Sequence, residues 1–339
     1  MRKALVTGSS GYIGSVLCKM LKEQGYYVVG VDREEPASPN AVNKYCDKIL
    51  RLDFSSDLVL KELKVGMSIF HLAANSLLGP SAENPIEYFL NNSVKSLKLI
   101  EFAKENGCPI IFASTAAVYS EMQPNTILPG TRQMARPVKE TDLIAPPNNY
   151  GMSKLHTEQM MDAICNINDG PWHLHAISFR FFNVIGAYDD VGPSDRTPHI
   201  ISSLIRAKKY LSSFILNGSD FDTPDGTCIR DYVDVKDVCR AMIHADIKLI
   251  STCIKHKKFN LGTGKGYSNL QVIDAFKKVA SPWYDGNSID IRYGERRQGD
   301  PPYLVADPSA YIQFANFKYK YSHDLETMIG DAWRYHNGV

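Results

Sequence analysis

The chain has 339 residues, 44% of them hydrophobic and 22% charged, with a formal net charge of +1 at pH 7. That composition suits a soluble protein with a full core, in one large domain or two unequal ones. The near-zero charge excludes a basic nucleic-acid groove or a polybasic membrane surface, so bound phosphate would depend on a few placed arginines.

In chain order, residues 4–6 predict a first buried strand. The opening is basic, like that of a signal peptide, but its apolar run breaks at Gly8. Thr7-Gly8-Ser9-Ser10-Gly11-Tyr12-Ile13-Gly14 then forms a glycine-rich turn into an amphipathic helix over 13–24. Residues 27–31 predict a second strand that ends at Asp32. Residues 68–72 and 109–113 predict further buried strands, with a helix over 93–106 between them. The proline-bearing stretch 122–149 has no period and reads as a surface excursion. A helix from Tyr150 to Cys165 and a strand over 175–180 follow. Beyond about Asn183, Pro, Gly, Asp and aromatic residues become frequent, yet 258–262 again predicts a core strand.

This alternation predicts an α/β fold, a doubly wound parallel (Rossmann) sheet with a smaller, interleaved C-terminal α/β domain. The expected boundaries are 1–183 plus about 233–264 for the first domain, and about 184–232 plus 265–339 for the second. No apolar run approaches the ~20 residues that span a bilayer. The seven cysteines form no CxxC pair and no metal-ligand spacing, which predicts reduced thiols, a cytoplasmic location and no metal.

Three constellations carry chemistry. In the glycine turn, Gly8 and Gly11 permit a tight bend and close backbone approach, and Gly14 lets the helix pack on the sheet. The N–H groups at the helix start then face a pyrophosphate. Asp32, ~20 residues on, suits both ribose hydroxyls and repels a 2′-phosphate, which favours NAD over NADP. Arg33 beside it is suited to that phosphate. Tyr150 and Lys154 form YxxxK, both on one helical face. A neighbouring ammonium and a positive nicotinamide would favour the phenolate of a tyrosine whose ordinary pKa is ~10. Ser114-Thr115 places hydroxyls where open α/β sheets bind ligands.

TGSSGYIGS from Thr7, LNN at Leu90-Asn91-Asn92, STAAVY from Ser114, RFFNVIGA from Arg180, DGTCIRDYVDV from Asp225, FNLGTGKGYS from Phe259 and RRQGDP from Arg296 carry a resemblance. Nearly end to end, the chain resembles the extended short-chain dehydrogenases, and within them the UDP-glucose (UDP-galactose) 4-epimerases. DGTCIRDYVDV is specific to the epimerase branch, whereas the glycine turn and YxxxK are shared more widely.

The resemblance implies NAD held by Gly8, Gly11, Tyr12, Ile13, Gly14, Asp32, Asp53, Phe54, Leu72, Ala73, Ala74, Asn91, Ser114, Tyr150, Lys154 and Phe182. Asp53 and Phe54 would flank the adenine, and Lys154 would hold the nicotinamide ribose. Thr115 would bond the sugar O4 and Tyr150 would act as base. Asn183 would line the sugar and phosphate site, and His199 and Asn217 would lie near the uridine. Arg230 and Arg297 would grip the diphosphate, Asp300 the uridine ribose, and Leu304 would limit the sugar pocket. The implied partners are a UDP-sugar and a second copy of the chain, paired through the helix over 93–106 and the one after Tyr150.

The implied reaction inverts C4 through a 4-keto sugar, with hydride lent to NAD and returned. Two departures stand out: Ser76 occupies the place of a family lysine near the cofactor pyrophosphate, and the stretch between Tyr119 and Tyr150 is long. UDP-N-acetylhexosamines and UDP-uronic acids are alternative substrates. A 4,6-dehydratase or decarboxylase would need acidic residues where Ala116 and Ala117 stand. A non-catalytic NAD-binding regulator would not need Thr115, Tyr150 and Lys154 together.

Overall fold

A computed structural model describes residues 1–33, 43–119, 136–167, 173–194, 199–252, 254–281, 289–297, 299–316, 321 and 324–338. The elements begin with β1 (Lys3–Thr7), α1 (Tyr12–Glu23), β2 (Tyr27–Val31), β3 (Lys48–Leu50), α2 (Asp57–Leu60) and β4 (Ser68–His71). They continue with α3 (Leu78–Glu83), α4 (Pro85–Tyr88), a π-helical turn (Phe89–Val94), α5 (Lys95–Glu105), β5 (Ile110–Thr115), α6 (Asn149–Cys165), β6 (Ala176–Phe181) and β7 (Asn183–Ile185). Next come α7 (Ile200–Lys209), β8 (Phe214–Asn217), β9 (Ile229–Asp234), α8 (Val235–Ser251), β10 (His256–Leu261) and β11 (Gly266–Ser268). The chain closes with α9 (Asn269–Ala280), β12 (Ile291–Gly294), β13 (Tyr303–Leu304), α10 (Ser309–Phe314) and α11 (Leu325–Asn337).

The first of two compact units holds the described residues of Met1–Ser120, Ile144–Phe181 and Val238–Phe259. Its seven-stranded sheet runs β10-β6-β5-β4-β1-β2-β3, and the pairings from β3 through β6 are parallel. The expected doubly wound sheet is therefore present. Leu5, Ile69 and Ile110 are register partners across its centre and are wholly buried. Each such side chain contributes about 1.5–3 kcal/mol relative to an exposed one. The order reverses between β1 and β4, so their carboxyl ends flank the crevice where open α/β sheets take ligands.

Helix α6 starts where Asn148 Oδ1 accepts from the Gly151 amide at 2.8 Å. The expected helix over 93–106 proves compound, with the π turn carrying Asn91 and Asn92 ahead of α5. At the sheet edge, Ser178 Oγ lies 2.8 Å from His256 Nε2, and His256 Nδ1 lies 2.8 Å from Asp162 Oδ1. Burial raises Asp162, but the bonds to His256 and Lys258 outweigh it and bring it down to about 2.

The second unit holds the described residues of Glu121–Leu143, Phe182–Asp237 and Asn260–Val339. Strand β9 pairs with β7 and β13 in parallel and with β11 antiparallel, while β8 and β12 form a separate parallel pair. Around them α7, α9 and α11 bury a core in which Phe276 meets Trp333 edge-on at 5.5 Å. Residues 136–143, expected inside the first domain, join this unit. The Val138 amide donates to Val305 O at 2.7 Å, and the Asp307 amide donates to Val138 O at 2.8 Å. The rest of the excursion, through Ala135, lies outside the described residues.

Candidate active site

Gly8 adopts φ +72°, and a Cβ there would stand 2.8 Å from the Ala73 amide nitrogen. A Cβ on Gly14 would come within 2.0 Å of Gly8 O, so the first turn of α1 sits directly on the loop. Thr7 Oγ1 accepts from the Leu72 and Ala73 amides, each at 3.2 Å, which ties the chain leading to Ala74 against β1. The N-cap of α1 is Gly11, which has no side chain to occupy the N–H groups of the turn that Tyr12 and Ile13 begin. These features leave an open glycine loop at the positive end of a helix, an arrangement that could hold a phosphate.

Asp32 closes the loop, its Oδ2 accepting from the Ser10 amide at 2.9 Å. Further on, burial raises Asp53, but the bonds from Lys95 and Ser55 outweigh it and hold the carboxyl below its ordinary range. Lys95 Nζ lies 2.6 Å from Asp53 Oδ2, with Arg33 at 3.9 Å from the same oxygen. Phe54 turns its ring into the core, 4.9 Å from His71, so only its backbone remains to flank a base. Asn91 Nδ2 donates to Asn75 Oδ1 at 3.2 Å. Its neighbour Asn92 joins Asn75 to α6 by donating to Ser153 Oγ at 3.0 Å. Ser76 is exposed.

The last two residues of β5 are Ser114 and Thr115, and the Thr115 hydroxyl lies beside the Tyr150 phenol. The two elements meet because Gly151 has no side chain: a Cβ there would stand 2.2 Å from Ala117 O. Lys154 is 3% exposed, its Nζ donating to Ala113 O at 2.7 Å beneath the Phe112 ring. Burial dominates the electrostatics of the Tyr–Lys pair. Burial pulls Lys154 down to about 7, against the upward pull of Glu158. Burial also pushes Tyr150 up to about 12, against the downward effect of the neighbouring Thr115 hydroxyl. A buried ammonium bonded to a carbonyl does not by itself make this phenol acidic.

Sequence reasoning passed over the residues behind this corner. Glu158 Oε1 accepts from Ser114 Oγ at 2.5 Å and from Arg180 Nε at 3.1 Å, and Oε2 accepts from Arg180 Nη2 at 2.7 Å. Arg180 Nη1 donates to Tyr119 OH at 3.0 Å. His71 bridges Thr7 Oγ1 and Ser96 Oγ, and burial, followed by the charge of Lys154, lowers it to about 3. The i, i+4 spacing of Lys154 and Glu158 was visible in the sequence; the partners on other strands were not.

The remaining expected residues belong to the second unit. Phe182 donates its amide to Leu261 O at 3.2 Å, and Asn183, exposed on β7, is the register partner of Tyr232 on β9. Arg230 donates through Nη2 to Asp300 Oδ1, and Leu304 is its register partner across β9 and β13. Asn217, with its amide oxygen turned to the guanidinium, accepts from Arg297 Nη2 at 3.1 Å and Nε at 3.2 Å. His199, at the N-cap of α7, is held below its ordinary pKa by desolvation and then by the charge of Arg297. Among the described residues no cluster of three or more His, Cys, Asp or Glu could hold a metal, and no helix is long and apolar enough to cross a membrane.

Residues 4–262 match the model of the NAD dependent epimerase/dehydratase family. The UDP-glucose 4-epimerase of Corynebacterium glutamicum is 33% identical over 338 residues, covering 98% of this chain and 95% of the relative. The crystal structure of a UDP-glucose-4-epimerase from Stenotrophomonas maltophila, with bound NAD and formylated UDP-arabinopyranose, superposes with a TM-score of 0.84 at 28% identity. That match covers 100% of this chain and 98% of the other. The UDP-glucose 4-epimerase from Bifidobacterium longum, in complex with NAD+ and UDP, gives 0.83 at 27% identity over 99% of this chain and 98% of that one.

Proposed function

The chain belongs to the NAD dependent epimerase/dehydratase family, and from that premise we propose that it interconverts UDP-glucose and UDP-galactose by inverting C4 through a 4-keto sugar. The observation that carries this reading is the adjacent Thr115 and Tyr150 hydroxyls at the end of β5, with Lys154 one turn along α6. The cradle of Gly8, Gly11 and Gly14 fits a dinucleotide: side chains would fill it, and Asp32 stands at the end of β2 to receive ribose hydroxyls. When bound, NAD supplies the acceptor and donor of hydride.

The work of the chain itself then divides. Thr115 holds O4 and Tyr150 takes its proton and returns it. Lys154 holds the nicotinamide ribose, and its ammonium adds to the field that favours the phenolate. Lowering a phenol from about 12 toward neutrality requires a large opposing charge, which a bound positive nicotinamide would contribute. In the second unit Arg230 and Arg297 grip the diphosphate with planar forks, Asp300 and Asn217 serve the uridine, and Leu304 bounds the sugar. Resolving the nucleotide-sugar products of the purified protein, without added oxidant, tests the reading. The C4 epimer is expected, and a 4-keto-6-deoxy product would overturn it.

We also infer a homodimer. Leu99, Ile100 and Ala103 of α5 are buried in the core, whereas Ile86, Leu90, Val94 and Leu97 are exposed at helical spacing, Ile86 by 74% and Val94 by 57%. A second apolar stripe of this kind suits a helix-on-helix contact with another copy. Sedimentation as a monomer at micromolar concentration would count against it. The six described cysteines are all free thiols, which supports the reducing cytoplasm as its location.

A further inference from the structure

A buried ion pair stands behind the reaction corner, and the chemistry proposed above assigns it no task. Glu158 and Arg180 are 1% and 3% exposed, and their partners Ser114 and Tyr119 are equally enclosed. Such a pair is a poor stabilising device, because desolvating both charges offsets their attraction, and well-packed apolar residues often serve as well. Its position suggests another use. Glu158 lies four residues beyond Lys154 on α6, on the same helical face. Through Ser114 Oγ it also holds the residue next to Thr115.

The surroundings of Lys154 give this placement its meaning. From β5 come the Ala113 carbonyl and the Phe112 ring, and from β4 comes His71, buried and neutral. Tyr150 lies one turn earlier on α6, and Arg180 on β6 adds a positive charge through its contact with Glu158. Of these groups, Glu158 is the carboxylate that favours an ammonium at a site where burial opposes one.

We propose that Glu158, clamped by Arg180, is a positioning residue for the reaction: its carboxylate keeps Lys154 an ammonium, and its bond from Ser114 fixes the strand end that bears Thr115. The task rests on the epimerase reading, whereas the charge state of Lys154 does not depend on it.

The experiment compares NAD-loaded wild type with Glu158→Gln, which keeps an acceptor for Ser114 and Arg180 Nε and removes the charge together with the acceptor for Arg180 Nη2. Lys154 is titrated by 13Cε NMR, assigned with Lys154→Arg, and kcat/KM is measured across pH with UDP-galactose. In Glu158→Gln the Lys154 titration should move down by about one unit or more, and the alkaline fall in kcat/KM should move with it, a loss of roughly tenfold at the upper end. Glu158→Gln/Arg180→Met removes both charges and should titrate between the two. It also serves as the comparison if the single variant does not fold, since no uncompensated charge remains.

An unchanged Lys154 titration in either variant overturns the inference, whatever happens to the rate. A uniform loss of rate with an unmoved pH profile does so as well, since a merely structural role would give that result. If Lys154 shifts as stated but wild type makes no C4 epimer, the epimerase reading fails and the role of Glu158 toward Lys154 stands.

Discussion

Thr115 and Lys154 stand on a fully buried strand and a 17-residue helix of the first unit, placed by backbone hydrogen bonds that do not involve their own side chains. In the second unit Arg230 is paired with Asp300, and Arg297 with Asn217, so the groups expected to bind substrate also hold one another. Regular structure keeps a side chain in place when its neighbour is changed; mutual pairing does not. A substitution at Tyr150 or Lys154 should therefore remove chemistry and leave architecture. One in the second unit should disturb binding and geometry together.

The largest effect should come from Tyr150→Phe. Loss of the proton-transfer oxygen is expected to lower kcat by roughly 10²–10⁴-fold, while UDP-sugar binding measured by calorimetry stays near that of wild type. Near-normal turnover would mean that Tyr150 is not the base, and weakened UDP binding would break the contrast between the units. Next, Arg230→Met should strand the Asp300 carboxylate as well as remove a phosphate contact. A rise in KM of roughly 30-fold or more is expected with kcat less affected. If kcat falls instead and KM holds, the second unit does not work as described.

A third effect is on stability and belongs to the first unit. His71 is lowered to about 3, so the unfolded chain takes its proton near 6.5 while the folded chain stays neutral. Stability from this source is therefore complete above about pH 6.5 and is lost as pH falls toward 3, on the order of 5 kcal/mol in all. Urea unfolding of wild type and His71→Gln across that range checks it, since the variant should show a shallower acid slope. The smallest effect is expected at Leu304, a half-buried side chain of the second unit. Leu304→Ala should raise kcat/KM for UDP-N-acetylgalactosamine relative to UDP-galactose by about tenfold, within the ~1–3 kcal/mol that an apolar pocket can discriminate. An unchanged ratio would show that Leu304 does not gate the sugar.

The same contrast governs how much the sequence disclosed. Groups placed by regular structure were legible from spacing, because the glycine turn, Asp32, Thr115 and YxxxK each sit at a fixed offset from a buried run. The residues of the second unit came from resemblance alone, since nothing local predicts that Asn217 meets Arg297. Two further features were out of reach for a similar reason. Residues 136–143 show no period, and they take their place from Val138 bonding to Val305 and Asp307, far along the chain. The fall of Lys154 to about 7 depends on how completely β5 and β4 enclose it, a property of packing and not of the YxxxK spacing.

Ser178, His256 and Asp162 carry a lesson for assigning activity by shape. Their atoms have the order and separations of a hydrolase nucleophile, base and orienting acid. Any template built from those distances alone would retrieve this edge of the sheet as an esterase. Yet Ser178 lies in the middle of β6 with none of its surface exposed, so no acyl carbonyl can approach its oxygen. In this protein the arrangement fastens an edge strand to a helix. A constellation becomes a catalyst only where a substrate can arrive.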